Sequence, residues 1–84
     1  MKHEFSLKTD FIKLTQLLKA AGIADSGAAA KEWIRQGRVI VGAEVEVRPG
    51  RKIYPGDTVF IRLQEMEEIY VFKGTETEIF SELW

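Results

Sequence analysis

Residues 11–41 read FIKLTQLLKAAGIADSGAAAKEWIRQGRVIV, and this stretch decides the fold. Its first part has the three- and four-residue spacing of apolar positions that is typical of an amphipathic helix. Thr9 or Asp10 is the predicted N-cap of this first helix, and Gly22 is the predicted left-handed residue after its end. The apolar positions that define its buried face are Phe11, Leu14, Leu18 and Ala21.

A second helix follows almost at once. Asp25 or Ser26 is its predicted N-cap, and Gly37 ends it. Because only about three residues separate the two segments, we expect a compact helical hairpin. The predicted apolar side of this helix consists of Ala29, Ala30, Trp33 and Ile34. Trp33 could also stack on a base, but its place on this stripe favours a core position.

Outside the two helices, the apolar period changes to two, which predicts short strands. The predicted strands are residues 3–7, two strands within 39–47 around a Gly42-Ala43 turn, 58–63 and 68–73. Pro55-Gly56-Asp57 is typical of a type II turn. Residues 77–84 fit either an edge strand or a loose turn of helix. The sequence therefore predicts an α+β fold, in which a two-helix hairpin packs on a small antiparallel sheet of short strands.

Length and composition narrow the possible functions. The 84 residues predict a single domain, 1–84, and the absence of cysteine excludes disulfides, zinc knuckles and thiol catalysis. No apolar run approaches the roughly 20 residues of a membrane helix, and residues 1–10 lack the apolar stretch of a signal peptide. We therefore expect no membrane partner and a cytoplasmic location.

The side chains needed for catalysis or metal binding are sparse. His3 is the single histidine, and it has no nucleophile or metal-ligand cluster at a recognisable spacing. Glu65, Glu67 and Glu68 lack the pattern of a calcium loop and fit a solvated charge run. We therefore predict a non-enzymatic protein with no cofactor and no metal site.

The charge is unevenly distributed along the chain. Residues 1–63 carry eleven Lys and Arg against seven Asp and Glu, whereas residues 64–84 carry Lys73 against six Glu. Cations cluster on the second helix and in the strand-loop after it, at Lys31, Arg35, Arg38, Arg48, Arg51 and Lys52. If that loop packed beside the second helix, six cations would converge, as a phosphate backbone requires.

The ordered series of short motifs resembles the S4-type RNA-binding domain, and most of all its small stand-alone bacterial members. The matching motifs are IKL (12–14), LLK (17–19), AGIADSG (21–27), AK (30–31), Ile34, GRVIV (37–41), GRK (50–52) and PGD (55–57). They define a core motif over about 11–63, followed by an acidic C-terminal extension over 64–84.

The resemblance implies recognition of structured RNA, such as rRNA or tRNA, in a ribosome-associated role. The RNA face that it implies comprises Ser26, Lys31, Arg35, Arg38, Arg51 and Lys52, to which the cation cluster of the strand-loop adds Arg48. Three positions depart from the family pattern. Gly27 stands where many members have arginine, Gly42-Ala43 replaces the usual Asn-Gly turn, and Ile40 replaces a residue that is often basic.

Two other functions compete with RNA binding. The first is a protein-interaction adaptor with the same fold and weak or no RNA affinity, which would bind a protein partner through the apolar C-terminal tail at Ile79, Phe80 and Trp84. The second is a β-grasp sulfur carrier. Such carriers need a C-terminal Gly-Gly, whereas residues 81–84 read SELW, so this function is disfavoured.

Overall fold

The computed structural model describes residues 1–74 and contains two helices and seven short strands. Helix α1 spans Leu14–Ala20 and helix α2 spans Gly27–Arg35. The strands are β1 (Lys2–Leu7), β2 (Ile12–Lys13), β3 (Val39–Val41), β4 (Glu44–Val45), β5 (Lys52–Ile53), β6 (Thr58–Arg62) and β7 (Met66–Lys73). None of the helices in this part of the chain is long and apolar enough to cross a membrane.

The predicted α+β class is confirmed, but the main sheet is mixed. Its five strands lie in the order β1-β7-β6-β3-β4, and β2 pairs separately with β5. All neighbours in the main sheet are antiparallel except β1 and β7, which run parallel with Phe5 opposite Val71. Strands that are close in sequence can pair as antiparallel hairpins. The parallel strands β1 and β7 are instead separated in sequence by both helices, since a parallel pair needs a long crossover connection.

The first part of the acidic extension belongs to this sheet. Strand β7 pairs with β6 on one side and β1 on the other, and its Ile69 and Val71 are fully buried. The element predicted over 77–84 and the proposed contacts of the apolar tail lie outside the described residues.

The core lies between the two helices and one face of the sheet. Helix α1 contributes Leu14, Leu17 and Leu18, and α2 contributes Ala30 and Ile34. Trp33 is partly buried and packs against this cluster, which supports its predicted core role. The opposing strand residues are Leu7, Val39, Val41, Ile53, Val59, Ile61, Ile69 and Val71.

The predicted start of α1 near Thr9 or Asp10 is wrong. The helix begins at Leu14, because the preceding two residues form β2 and pair with β5. Phe11 therefore precedes the helix and is exposed instead of lying in its apolar stripe. Thr9 donates its hydroxyl to the Phe11 carbonyl and caps no helix.

Backbone carbonyls of a distant loop replace the missing side-chain cap of α1. The amide of Leu14 donates to the Arg51 carbonyl at 2.8 Å, and that of Thr15 donates to the Pro49 carbonyl at 3.3 Å. These bonds satisfy amides that a helix leaves unpaired at its start. They also attach the loop of residues 46–51, called the basic loop below, to the first turn of α1.

Both helices end at the predicted glycine, and the structure shows a Schellman motif at each end. After α1, Gly22 has a φ of +78°, and the Ile23 amide donates to the Leu18 carbonyl at 3.1 Å. After α2, Gly37 has a φ of +76°, and the Arg38 amide donates to the Trp33 carbonyl at 3.1 Å. This second motif sets the direction of the backbone at Arg38, the residue that follows Gly37.

We expect Gly22→Ala to destabilise the protein by about 1 kcal/mol, because a Cβ would be strained at this positive φ. A Cβ at Gly22 would meet no atom within 4 Å, so the cost is purely conformational. Gly27→Ala is the matched control, since Gly27 begins α2 without a positive φ and is also in open space. Urea unfolding should show a loss for Gly22→Ala and no loss for Gly27→Ala. Equal stabilities of the two variants would contradict this interpretation.

The hairpin between β3 and β4 differs from the Asn-Gly turn of the family. Gly42 has a φ of +65°, and every positive-φ residue within 1–74 is a glycine, so Ala43 is unstrained. A glycine at the first central position of a two-residue loop is typical of a type II′ turn. The Gly42-Ala43 sequence therefore forms a hairpin like the Asn-Gly sequence does, but with a different type of turn.

Candidate nucleic-acid interface

Ser26 is the N-cap of α2. Its side-chain oxygen accepts a hydrogen bond from the Ala29 amide at 3.1 Å, which satisfies an amide in the first turn. The structure thus selects Ser26 over Asp25 as the cap. Its predicted contact with RNA stays a prediction, and the residue has a sufficient structural role without it.

Lys31 and Arg35 lie one helical turn apart on the outer side of α2, and both are exposed. Neither forms an ion pair with another residue in the range 1–74. Their charges therefore face solvent without compensation from the part of the protein described.

Arg38 lies at the end of α2 and is held in place by two neighbours. Its Nε donates to Gln36 Oε1 at 2.7 Å, and its Nη1 donates to the Arg62 carbonyl at 3.2 Å. The Arg62 amide in turn donates to the Arg38 carbonyl at 2.8 Å. The two arginines line a shallow groove together with Gln36, Gly37 and Leu63. Arg62 was absent from the predicted site, because its position at the end of β6 indicates only a sheet residue.

The three cations predicted in the strand-loop lie around a second groove. This groove is open to solvent and is lined by Arg48, Gly50, Arg51, Lys52, Tyr54 and Asp57. We call it the loop groove. The sequence predicted its cations but not its tyrosine and aspartate.

Glu46 organises the cations of the loop groove from inside the protein. It is only 5% exposed, and its Oε2 accepts from Arg48 Nε at 3.0 Å. Its Oε1 accepts from Arg48 Nη2 at 3.1 Å and from Arg51 Nη1 at 2.6 Å. The Arg48 amide also donates to Oε2 at 3.0 Å. These hydrogen bonds, first of all those from the Arg48 side chain, lower the pKa of Glu46 from 4.5 to about 2 against the opposing effect of its burial.

Sequence reasoning missed Glu46 because the usual alternation is inverted here. Val45 and Val47 are 56% and 54% exposed, and the glutamate between them points inward. The period-two pattern places Glu46 on the opposite face from both valines, so burying the valines would put the glutamate in solvent. The available signal was the pair of nearby arginines, Arg48 and Arg51, since a buried carboxylate needs cations to pair with.

Aromatic rings adjoin the cations of the loop groove. Lys52 Nζ lies 4.7 Å from the centroid of the Phe11 ring, within the range of a cation–π contact. The centroids of Phe11 and Tyr54 are 6.1 Å apart, with a tilt of 56°. Tyr54 is fixed by the following turn, in which its amide donates to Asp57 Oδ2 at 2.8 Å.

The predicted cations line different parts of the surface. Arg48, Arg51 and Lys52 line the loop groove, whereas Arg38 lines the groove at the end of α2 with Arg62. The basic loop is attached to the start of α1 by backbone hydrogen bonds. It is also joined to the strand after α2, because the Glu46 amide donates to the carbonyl of Val39, the residue after Arg38.

His3 has a structural partner. Its Nε2 lies 2.7 Å from Glu67 Oε1, a contact between the parallel strands β1 and β7. This hydrogen bond lowers the pKa of Glu67. Glu67 is therefore not simply part of a solvated charge run. Within residues 1–74, no group of three or more acidic or histidine side chains is placed to hold a metal ion.

Known proteins are similar to this chain in sequence. Residues 5–71 match the family described as the S4 domain. The probable ribosome maturation protein RlbA of Bacillus subtilis is 41% identical over 61 residues, which are 73% of this chain and 86% of RlbA. The putative RNA-binding protein YbcJ of Escherichia coli is 46% identical over 56 residues, which are 66% of this chain and 80% of YbcJ.

A solved structure extends the likeness to the fold. The solution structure of a tyrosyl-tRNA synthetase C-terminal domain aligns with a TM-score of 0.61 and 25% identity. The alignment covers 84% of this chain and 78% of that domain. The ordered motifs, the helical hairpin on its sheet and the match over residues 5–71 agree, and the chain belongs to the S4 domain family.

Proposed function

We propose that this protein is a non-enzymatic RNA-binding module of the cytoplasm that recognises structured RNA, either rRNA or tRNA. The S4 domain match and the name of the Escherichia coli relative support a general RNA-binding role. The name of the Bacillus subtilis relative, a probable ribosome maturation protein, favours rRNA among the structured RNAs.

The network around Glu46 is the observation that carries this proposal. A buried carboxylate holds two guanidinium groups side by side at the edge of an open groove. The Arg48 side chain is nevertheless 74% exposed. An arginine has five N–H donors, and Arg48 donates two of them to Glu46. Its remaining donors are available to phosphate oxygens.

Restricting the arginine side chains before RNA binds lowers the conformational entropy that is lost on binding. A free arginine side chain loses about 0.5–1.5 kcal/mol of conformational freedom when an interface immobilises it. Here Glu46 has already restricted Arg48 and Arg51 in the free protein. Together with Lys31, Arg35, Arg38 and Lys52, these cations can neutralise several phosphates and release their counterions.

We propose that the RNA is recognised through its shape and phosphates. The deep, narrow major groove of A-form RNA excludes side chains, so a basic surface of this kind contacts phosphates and sugars. Cations carried by two different elements, α2 and the basic loop, suit a ligand whose phosphates follow a curved path, such as the backbone of a folded RNA.

Competition between RNA and DNA hairpins of the same sequence tests this proposal. A fluorescein-labelled RNA hairpin with a 16-base-pair stem is bound to the protein, and its anisotropy is followed as unlabelled hairpins are added. We expect the RNA hairpin to displace the probe at a concentration roughly tenfold lower than the DNA hairpin, because a site for structured RNA recognises A-form shape and 2′-hydroxyl groups, and DNA has no 2′-hydroxyl. Equal competition by DNA, or no binding of the RNA probe, would overturn the proposal.

A further inference from the structure

An exposed aromatic side chain lies among the cations of the loop groove. Tyr54 is 43% exposed and lines the groove with Arg48, Arg51 and Lys52. Contacts with phosphates alone require no aromatic ring, and the core of the protein is built without this one. Phosphate recognition therefore does not explain the presence of this ring in the groove.

The backbone at Tyr54 is held in place by hydrogen bonds. Its backbone amide donates to the Asp57 carboxylate at 2.8 Å, and its carbonyl accepts from the Asp57 amide at 3.0 Å. The turn between them is joined to β7, because the Gly56 amide donates to the Val71 carbonyl at 2.7 Å and the Val71 amide donates to the Asp57 carbonyl at 3.0 Å. Asp57 is the acidic residue among those lining the groove, and this hydrogen bond directs its carboxylate to the Tyr54 backbone.

The neighbouring ring of Phe11 is already engaged. Lys52 Nζ lies over it at 4.7 Å, and Phe11 packs beside Tyr54 at a tilt. Phe11 therefore has the Lys52 ammonium over its face and the Tyr54 ring beside it. An aromatic surface next to three cations is the combination that binds a nucleotide, with the base on the ring and the phosphates on the cations.

We propose that Tyr54 is a stacking platform for an unpaired base, so that the loop groove recognises an RNA helix interrupted by a bulged or unpaired nucleotide. This inference rests on the proposed RNA-binding function and adds the class of RNA that the site selects. Arg48, Arg51 and Lys52 contact the phosphates that flank the unpaired nucleotide, and the base leaves the helix to lie on the tyrosine ring.

Two RNA hairpins test this inference. They have the same stem, and one carries a single bulged 2-aminopurine, a fluorescent base that is quenched when it stacks on an aromatic ring. We expect the wild-type protein to bind the bulged hairpin about tenfold more tightly than the fully paired one. Binding should also quench the 2-aminopurine emission.

The variants separate stacking from other contributions. Tyr54→Leu should lose the preference for the bulge and the quenching while keeping its affinity for the paired hairpin, and Tyr54→Phe should retain both. Tyr70→Leu is the matched control, because Tyr70 is a similarly exposed tyrosine on the opposite face of the sheet from the core. It should behave as the wild type does.

The outcomes distinguish this inference from the proposed function. If the wild-type protein binds both hairpins equally, or if Tyr54→Leu keeps the preference, RNA binding stands and the stacking platform is overturned. If the wild-type protein binds neither hairpin, both the proposed function and this inference fail. Binding of adenosine monophosphate alone with the affinity of the bulged hairpin would overturn the inference in favour of a free-nucleotide site.

Discussion

The triple variant Lys31→Glu, Arg35→Glu, Arg38→Glu is expected to bind structured RNA at least about 100-fold more weakly than the wild type at moderate salt. Each reversal would remove one of the proposed phosphate contacts and add repulsion. The slope of log affinity against log salt should become shallower by about three, one unit for each lost cation. Fluorescence anisotropy with a labelled RNA hairpin over a salt series measures both quantities.

A second triple variant controls for the change in net charge. Lys2 on β1, Lys8 directly after β1 and Lys73 on β7 are exposed at one end of the main sheet, whose opposite edge strand is β4. Reversing these three lysines changes the net charge by the same amount, and we expect less than about a tenfold loss of affinity. Equal losses of affinity in the two variants would mean that binding depends on overall charge and not on Lys31, Arg35 and Arg38.

Glu46→Ala is expected to destabilise the protein by about 2 kcal/mol. The substitution removes four hydrogen bonds to a buried carboxylate. The cost stays below that of breaking a fully buried ion pair, because the guanidinium of Arg48 is already largely hydrated. Urea unfolding followed by circular dichroism measures the loss.

The same variant should also bind RNA about tenfold more weakly, although it removes a negative charge from a basic surface. Simple electrostatics predicts the opposite sign, so the experiment separates the positioning of Arg48 and Arg51 from net charge. Glu44→Ala is the matched control, because Glu44 is exposed, two residues away, and outside the network. It should leave stability unchanged and affinity equal or slightly higher. A gain in affinity for Glu46→Ala would show that the carboxylate does not position the arginines.

The contribution of Glu46 to stability also depends on pH. Its pKa is about 2 in the folded protein against an ordinary value of 4.5. A lowered pKa stabilises the folded state above pH 4.5, and that contribution is lost as the pH falls from 4.5 towards 2. The difference in unfolding free energy between wild type and Glu46→Ala should therefore narrow across this window. A difference that is constant down to pH 2 would contradict the assigned network.

Local patterns predicted the parts of the fold that are determined by neighbouring residues. The helical hairpin and both glycine ends followed from apolar spacing and from Gly22 and Gly37, because a Schellman motif is built within a few residues. The start of α1 could not be predicted in this way. Its cap comes from the carbonyls of Pro49 and Arg51, which are more than thirty residues away. The parallel pairing of β1 with β7 is non-local for the same reason.

The sequence predicted which cations belong to the candidate site but not how they are arranged. Charge counting and the family resemblance identified Arg48, Arg51 and Lys52, which the structure brings together in one groove. Neither approach identified Glu46, because a single acid in a basic segment resembles an ordinary solvated charge. Tyr54 was not identified either, because the turn that holds its backbone is formed with a later residue, Asp57.

The most direct test of the central claim is an NMR titration of the ¹⁵N-labelled protein with a structured RNA hairpin. We predict that the amide signals of residues 31–38 and 48–54, and the Nε–Hε signals of Arg48 and Arg51, shift or broaden in proportion to the RNA added. The amides of β1 should remain in place. Shifts concentrated on β1 and β7, or a spectrum unchanged by RNA, would contradict the assignment of RNA binding to this surface.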